Sequence, residues 1–181
     1  MDLTEHCLSS EVLAQGDMLT VRRDSVRLPD GNVSRREYVV HPGAVVIVPL
    51  LPGGNVVLER QFRYPLHQVF IELPAGKIDP DEDVLSTGQR ELLEETGYTA
   101  QNWVKLGIQH PCIGYSNEVI HIYLAENLTA GAHQRDEDEM LEVFDLKMED
   151  CLTMIQRGEI TDSKTIVALF MAWQYLQQDG R

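Results

Sequence analysis

The sequence predicts an α/β domain preceded by a small antiparallel sheet, and three observations carry that expectation. Residues 44–51 form a near-continuous apolar run, which suits a strand buried on both faces. Leu152 and Ile155, then Ile166, Leu169, Phe170, Trp173 and Leu176, recur at helical spacing. Ahead of both, residues 10–40 alternate in a strand-like way, with 18–28 and 34–40 placed about Pro29-Asp30-Gly31-Asn32, a strong turn signal.

Taken in order, the N-terminal piece is too charged to make a core of its own, so it is expected to pack as a small sheet on the main body or on a partner chain. His41-Pro42-Gly43 breaks the pattern before the apolar strand, and Pro52-Gly53-Gly54-Asn55 turns the chain into a second strand, residues 56–63. That strand ends with Arg60 and Arg63 beside Phe62. The two arginines suit either surface charge or capture of a phosphate or carboxylate by a planar fork of donors. Residues 69–73 read as a third strand, leading through Pro74-Ala75-Gly76 into an acidic helix. Asp79-Pro80-Asp81-Glu82-Asp83 is expected to open that helix, since early acidic residues and a proline favour the dipole and the cap. Gly97 is expected to end it in the left-handed conformation. Strands at 103–109, 119–125 and 141–146 follow, then helices at 147–158 and 163–178. His110 and His121 read as ordinary turn and strand histidines, and Trp173 as core or interface. Residues 127–139 read as a polar connection ending in Arg135-Asp136-Glu137-Asp138-Glu139, either a solvated acidic loop or one that carries function.

The acidic helix holds the chemistry. With about 100° of rotation per residue, Glu91, Glu94 and Glu95 fall on one face, so their carboxylates converge and repel. Such a face is either solvated or balanced by a cation. A hard divalent ion such as Mg²⁺ fits, because it takes carboxylate oxygens, keeps waters and bridges to phosphates. Arg90, four residues before Glu94, can hold that carboxylate and cancel part of the repulsion. The Ala75 carbonyl could reach a metal, since Gly76 lets the chain bend closely there. Val84, Leu85, Gly88 and Leu92 occupy the adjoining arc and are expected to bury it.

The chain as a whole narrows the function classes. With 181 residues it fits one ordinary domain with a small extension. Its 15 basic and 29 acidic residues give a net charge of −14, which argues against sequence-independent binding to nucleic acid or to an anionic membrane. An anionic substrate would therefore need a metal and a few placed arginines. Cys7, Cys112 and Cys151 are an odd number without a CxxC pair, as expected of reduced thiols in a cytoplasmic protein. No secretory signal and no membrane span are expected, and no P-loop motif is present.

Gly76, Glu82, Arg90-Glu91-Leu92, Glu94-Glu95 and Gly97-Tyr98 stand at spacings that resemble the Nudix box at every defined position. Leu28-Pro29-Asp30-Gly31, Arg36-Glu37, His41-Pro42-Gly43-Ala44, residues 60–63, residues 72–76 and Gly114-Tyr115-Ser116-Asn117-Glu118 resemble the ADP-ribose pyrophosphatase group of that superfamily. The resemblance implies an α/β/α sandwich with a mixed sheet over residues 44–181. Residues 1–43 would form a β region that exchanges across a homodimer. It implies Mg²⁺ or Mn²⁺ held by the Ala75 carbonyl, Glu91, Glu95 and Glu139, with Glu94 in or near their shell and Arg90 beside them. Glu137 would be the general base for the attacking water. Arg60 and Arg63, with Glu72 nearby, would line the nucleotide site, and Arg36 or its neighbour Arg35 would reach the substrate of the partner subunit. The implied reaction is hydrolysis of the pyrophosphate of ADP-ribose or a related ADP-sugar to AMP and a sugar phosphate. Ile113 stands where that group has a proline. This keeps GDP-mannose, other nucleoside diphosphate sugars and dinucleotides open as alternatives. A non-catalytic ADP-ribose-binding module is a further alternative, and it predicts lost carboxylates, whereas Glu91, Glu94, Glu95, Glu137 and Glu139 are all present.

Overall fold

The computed structural model describes residues 1–132 and 140–178. They divide into two units, residues 1–42 with 112–118, and residues 43–111 with those from 119 on. In the first unit His6–Gln15 (β1), Thr20–Arg27 (β2) and Val33–Val40 (β3) make an antiparallel sheet in that order. The turn between β2 and β3 falls at Pro29–Asn32 as expected. Gly31 adopts φ +88° there, and the Asp30 carboxylate accepts from the Asn32 amide at 2.9 Å. β1 is not delimited by the sequence, where the strand-like reading starts only at residue 10: the strand is exposed along its whole length, so burial gives it no inside-outside sorting. Within this unit Val26 is the one buried hydrophobic residue among residues 1–42. The sheet is instead laced by polar pairs such as Arg23 to Glu37, opposite each other in the ladder and 2.6 Å apart.

The second unit carries the other strands and the α-helices of the described residues: Ala44–Pro49 (β4), Asn55–Arg63 (β5), Gln68–Glu72 (β6), Ala75–Lys77 (β7), Val84–Thr96 (α1), Tyr98–Gln109 (β8), Ile120–Ala130 (β9), Leu141–Lys147 (β10), Met148–Gln156 (α2) and Ser163–Gln178 (α3). A four-stranded sheet runs β7-β4-β9-β8, with β4 and β9 parallel and the outer pairs antiparallel. A three-stranded antiparallel sheet runs β10-β5-β6.

Every position of β4 is buried, because both of its faces are covered. Val45 and Ile47, with Tyr123 and Ala125 of β9, meet Leu92 of α1, while Val84, Leu85 and Trp103 pack around them. Val46 and Val48, with Ile122 and Leu124, meet Ala168, Leu169 and Ala172 of α3 and Met148 and Cys151 of α2. The period of two along the strands sorts the core into these halves, and the result is an α/β/α sandwich with a mixed sheet. Gly88 lets α1 approach closely: a Cβ there would stand 3.2 Å from Val45 Cγ1.

Three local expectations need correction. The acidic helix starts at Val84, not near Asp79, because Asp81 takes the left-handed conformation (φ +65°) and the Asp83 carboxylate caps the amides of Leu85 and Ser86 at 3.0 and 3.1 Å. β7 was missed, since three residues show no readable period. β8 and β9 are longer than expected, because antiparallel pairing continues from Trp103↔Ala125 out to Tyr98↔Ala130, where polar side chains hide the pattern. Gly97 closes α1 at φ +77° as expected, its amide donating to Leu93 O. Among the described residues no helix is long and apolar enough to cross a membrane.

Leu92 is fully buried between α1 and β4. Leu92→Ala is expected to cost about 2–5 kcal/mol through lost burial and the cavity left behind, read as a lowered denaturant midpoint with an unchanged slope.

Candidate active site

Two glutamates of α1 are buried where most carboxylates would be exposed: Glu91 is 9% and Glu95 3% accessible. One helical turn apart, both face β7. The Ala75 amide donates to Glu95 Oε2 at 3.0 Å. Against Gly76 the fit is tighter still, since a Cβ there would lie 1.8 Å from the Glu91 carboxyl carbon. The glycine is required here by close approach and not by an unusual φ. Glu94 is more open, with about a third of its side chain exposed.

Arg90 holds the near side of this acidic face. Its Nη1 donates to Glu91 Oε1 at 2.8 Å and to Glu94 Oε2 at 2.9 Å. Its Nε and Nη2 reach the two oxygens of Glu82 at 3.1 and 3.0 Å, and Nη2 also reaches the Lys77 carbonyl at 3.3 Å. The expected pair with Glu94 is thus one arm of a larger clasp. The Glu82 carboxyl is held down at about 2, chiefly by the Arg90 hydrogen bonds and also by the Thr87 hydroxyl, against a smaller opposing effect of desolvation. The same contacts raise the pKa of Arg90, which stays charged.

Carboxylate and carbonyl oxygens are the donors a hard divalent cation takes. Glu91, Glu95 and the β7 backbone therefore fit one in chemistry. Among the described residues no three His, Cys, Asp or Glu side chains are gathered as a metal site. Glu137 and Glu139 lie outside the described residues.

The arginines of β5 part company. Register with β6 is unbroken from Glu59↔Glu72 to Arg63↔Gln68, so residues 60 and 63 project from opposite faces. Arg63 makes a two-pronged pair with Glu72, Nε to Oε1 at 2.7 Å and Nη2 to Oε2 at 2.8 Å. Glu72 is 2% accessible and also receives Lys164 Nζ. Burial pushes its pKa up, but Arg63 and Lys164 together outweigh that, and the net shift is down. These groups line a cleft of about 350 Å³ with Leu66, Phe70 and Asp162. Arg60 instead pairs with Glu142 of β10 at 3.0 Å and stacks over the Phe144 ring, 4.5 Å from its centroid. In the N-terminal unit Arg36 pairs with Glu5 at 2.6 Å and donates to Ser34 Oγ at 3.1 Å.

The sequence therefore shows the α1 carboxylates and Arg90 as candidates, and the resemblance adds Arg60, Arg63 and Glu72, but the pairing of Arg63 with Glu72 and the neighbours of these residues are hidden. Lys164 is 92 residues from Glu72 along the chain, and no local pattern links them. Glu142 and Phe144 could be found only from the register of β10 on β5.

A NUDIX domain model matches residues 40–167, and a nucleoside diphosphate sugar hydrolase N-terminal domain model matches residues 5–39. An ADP-ribose pyrophosphatase of Bacillus subtilis is 38% identical over 97% of this chain and 94% of its own length. A methanol dehydrogenase activator of Bacillus methanolicus is 37% identical over 96% of this chain and 92% of its own. The crystal structure of an ADP compounds hydrolase shares the fold, with a TM-score of 0.89 at 24% identity over 100% of this chain and 99% of that one. A match over most of the chain, with Gly76 on β7 and Arg90, Glu91, Glu94 and Glu95 on α1 as described, establishes that this chain belongs to the NUDIX family.

Proposed function

We propose that this protein is a divalent-metal-dependent pyrophosphatase that hydrolyses ADP-ribose to AMP and ribose 5-phosphate. The observation that carries the reading is the buried pair Glu91 and Glu95 set against Ala75 and Gly76, in a NUDIX chain 38% identical to an ADP-ribose pyrophosphatase. The metal, Mg²⁺ or Mn²⁺, would neutralise the pyrophosphate and acidify a bound water.

The chain's own residues would divide the remaining work. The Ala75 carbonyl, Glu91, Glu95 and Glu139 hold the metal in this reading, with Glu94 in or near its shell. Glu137 takes the proton of the attacking water as its oxygen bonds to phosphorus and the bridging P–O bond breaks. Arg90 keeps the acidic face assembled, since a charge touching Glu82, Glu91 and Glu94 offsets their mutual repulsion. Arg63, oriented by Glu72, supplies a donor fork to the nucleotide, and Arg60 offers a guanidinium stacked on Phe144. Arg36 acts across a homodimer formed by exchange of the N-terminal region. The three free thiols suit a cytoplasmic setting.

The deciding experiment measures turnover of ADP-ribose, ADP-glucose, GDP-mannose and NADH with Mg²⁺ and with EDTA. ADP-ribose is expected to be preferred and EDTA to abolish its hydrolysis. Glu95→Gln should lose more than about hundredfold in kcat while remaining folded. Preference for GDP-mannose would retain the chemistry and move the substrate. Metal-independent turnover, or full activity of Glu95→Gln, would overturn the proposal.

Gly76→Ala tests the closeness of β7 and Glu91 without touching a charge. Because the new methyl overlaps the Glu91 carboxylate, kcat is expected to fall by about tenfold or more. Gly16→Ala, whose new methyl would have its nearest neighbour 3.9 Å away, should be indistinguishable from wild type.

The clasp also has a pH signature. Glu82 has a folded pKa of about 2 against an ordinary 4.5. Its contribution to stability is therefore complete above its ordinary value and is lost as pH falls from about 4.5 toward about 2. Thermal melts across that window should show a decline in Tm that is shallower for Glu82→Gln, which has no such proton to bind. Parallel curves would remove Glu82 from the clasp.

A further inference from the structure

The link between β6 and β7 carries the chain from one sheet to the other, and its backbone leaves both ladders there. Leu73 and Pro74 are the residues between the strands. Their polar groups are nonetheless engaged: Ile47 N–H donates to Pro74 O at 2.9 Å, and the buried Leu73 N–H donates to Thr165 Oγ1 at 2.9 Å. Thr165 is fully buried in the first turn of α3. Its hydroxyl donates to Asp162 Oδ2 at 2.7 Å, an oxygen that also accepts from the Thr165 amide and from Lys164 Nζ, both at 3.0 Å. Lys164 in turn holds Glu72, the residue just before Leu73. One turn of α3 thus grips two consecutive residues where the link begins, Glu72 at the end of β6 by its side chain and Leu73 by its amide.

On either side of that grip lie the two halves of the candidate site. Glu72 orients Arg63, and two residues past Leu73 the Ala75 amide meets Glu95. We propose that Asp162, Lys164 and Thr165 are positioning residues that set the register of residues 72–76, and so fix the spacing between the Arg63 fork and the Ala75–Glu95–Glu91 corner. The inference rests on the pyrophosphatase reading of that corner. None of the three residues needs to touch substrate. Their effect is geometric, and displacements of about 1 Å in such a frame are enough to cost up to about hundredfold in rate.

Thr165→Val keeps the shape but removes the acceptor of Leu73, whereas Thr165→Ser keeps it. In metal-free protein, amide exchange at Leu73 and Ala75 is expected to be about tenfold faster in Thr165→Val and unchanged in Thr165→Ser. With ADP-ribose and Mg²⁺, kcat should fall about tenfold in the valine variant with KM changed by less than about threefold, and serine should restore it. Lys164→Met, which leaves Glu72 to Arg63 alone, should instead raise KM several-fold. Unchanged exchange and unchanged kcat in Thr165→Val would overturn the proposal. Should that variant fail to fold, an unchanged KM in Lys164→Met would overturn it. If wild type hydrolyses none of the sugar nucleotides, the pyrophosphatase reading fails by itself, while the exchange rates still decide whether α3 fixes the link.

Discussion

Two carboxylates buried one turn apart on a single helix are the constraint around which this molecule is arranged. Neither burial nor like charge favours Glu91 and Glu95 where they are, so the surroundings have to compensate at several points. A backbone amide from Ala75 meets one, a missing side chain at Gly76 makes room for the other, and the Arg90 guanidinium lies against Glu91 from the solvent side. The helix itself is fixed at both ends, by the Asp83 cap and the left-handed Gly97, so the two carboxylates cannot slide along β7. Gly88 then allows the helix to sit close on Val45. Each device is local, yet together they hold negative charge where an isolated helix would disperse it.

The second dependency is the change of sheet at residues 73 and 74. Glu72 ends β6 in the antiparallel sheet, and Ala75 begins β7 in the mixed sheet. A single short segment therefore belongs to both halves of the proposed chemistry, anion recognition through Arg63 and metal binding beside Glu95. That economy makes the segment sensitive, since an error in its register is felt on both sides at once. It also explains why so many of its polar groups are engaged by residues remote in sequence, Ile47, Thr165 and Lys164 among them.

How much of this could be read beforehand depends on whether the determinants were local. The carboxylate face was legible because one helical period brings positions 91, 94 and 95 together, and an α/β domain was legible in the apolar run of β4 and the spacing of α3, while the α/β/α layering came from the family resemblance. The helix start was misjudged, because Asp79–Asp83 offers several acidic residues and only the left-handed Asp81 decides among them. The extent of β1 and the presence of β7 were illegible for opposite reasons, one strand being exposed throughout and the other too short to show a period. Lys164 and Thr165 were invisible because nothing in a sequence states that residue 164 meets residue 72. The roles proposed for Glu137 and Glu139 come from the family resemblance alone.

The strand period also changes how the two arginines of β5 should be understood. Close in the sequence, they invite a single role, but residues three apart on a strand face opposite ways. Arg60 stacks on Phe144 beside Glu142, so its face of the sheet offers a flat cationic surface. Arg63 sits in a cleft where Lys164 adds a second positive charge and Glu72 and Asp162 supply two negative ones. That cleft is nearly neutral in sum, in a chain of net charge −14. The attraction of a diphosphate proposed for this cleft therefore could not rest on net potential. It would have to come from direction: a guanidinium whose Nε and Nη2 are engaged by Glu72 keeps its plane fixed and leaves the Nη1 edge free of that pair. If Arg63 binds the diphosphate as proposed, Glu72 would serve that binding despite its own charge, by fixing the plane of the Arg63 guanidinium.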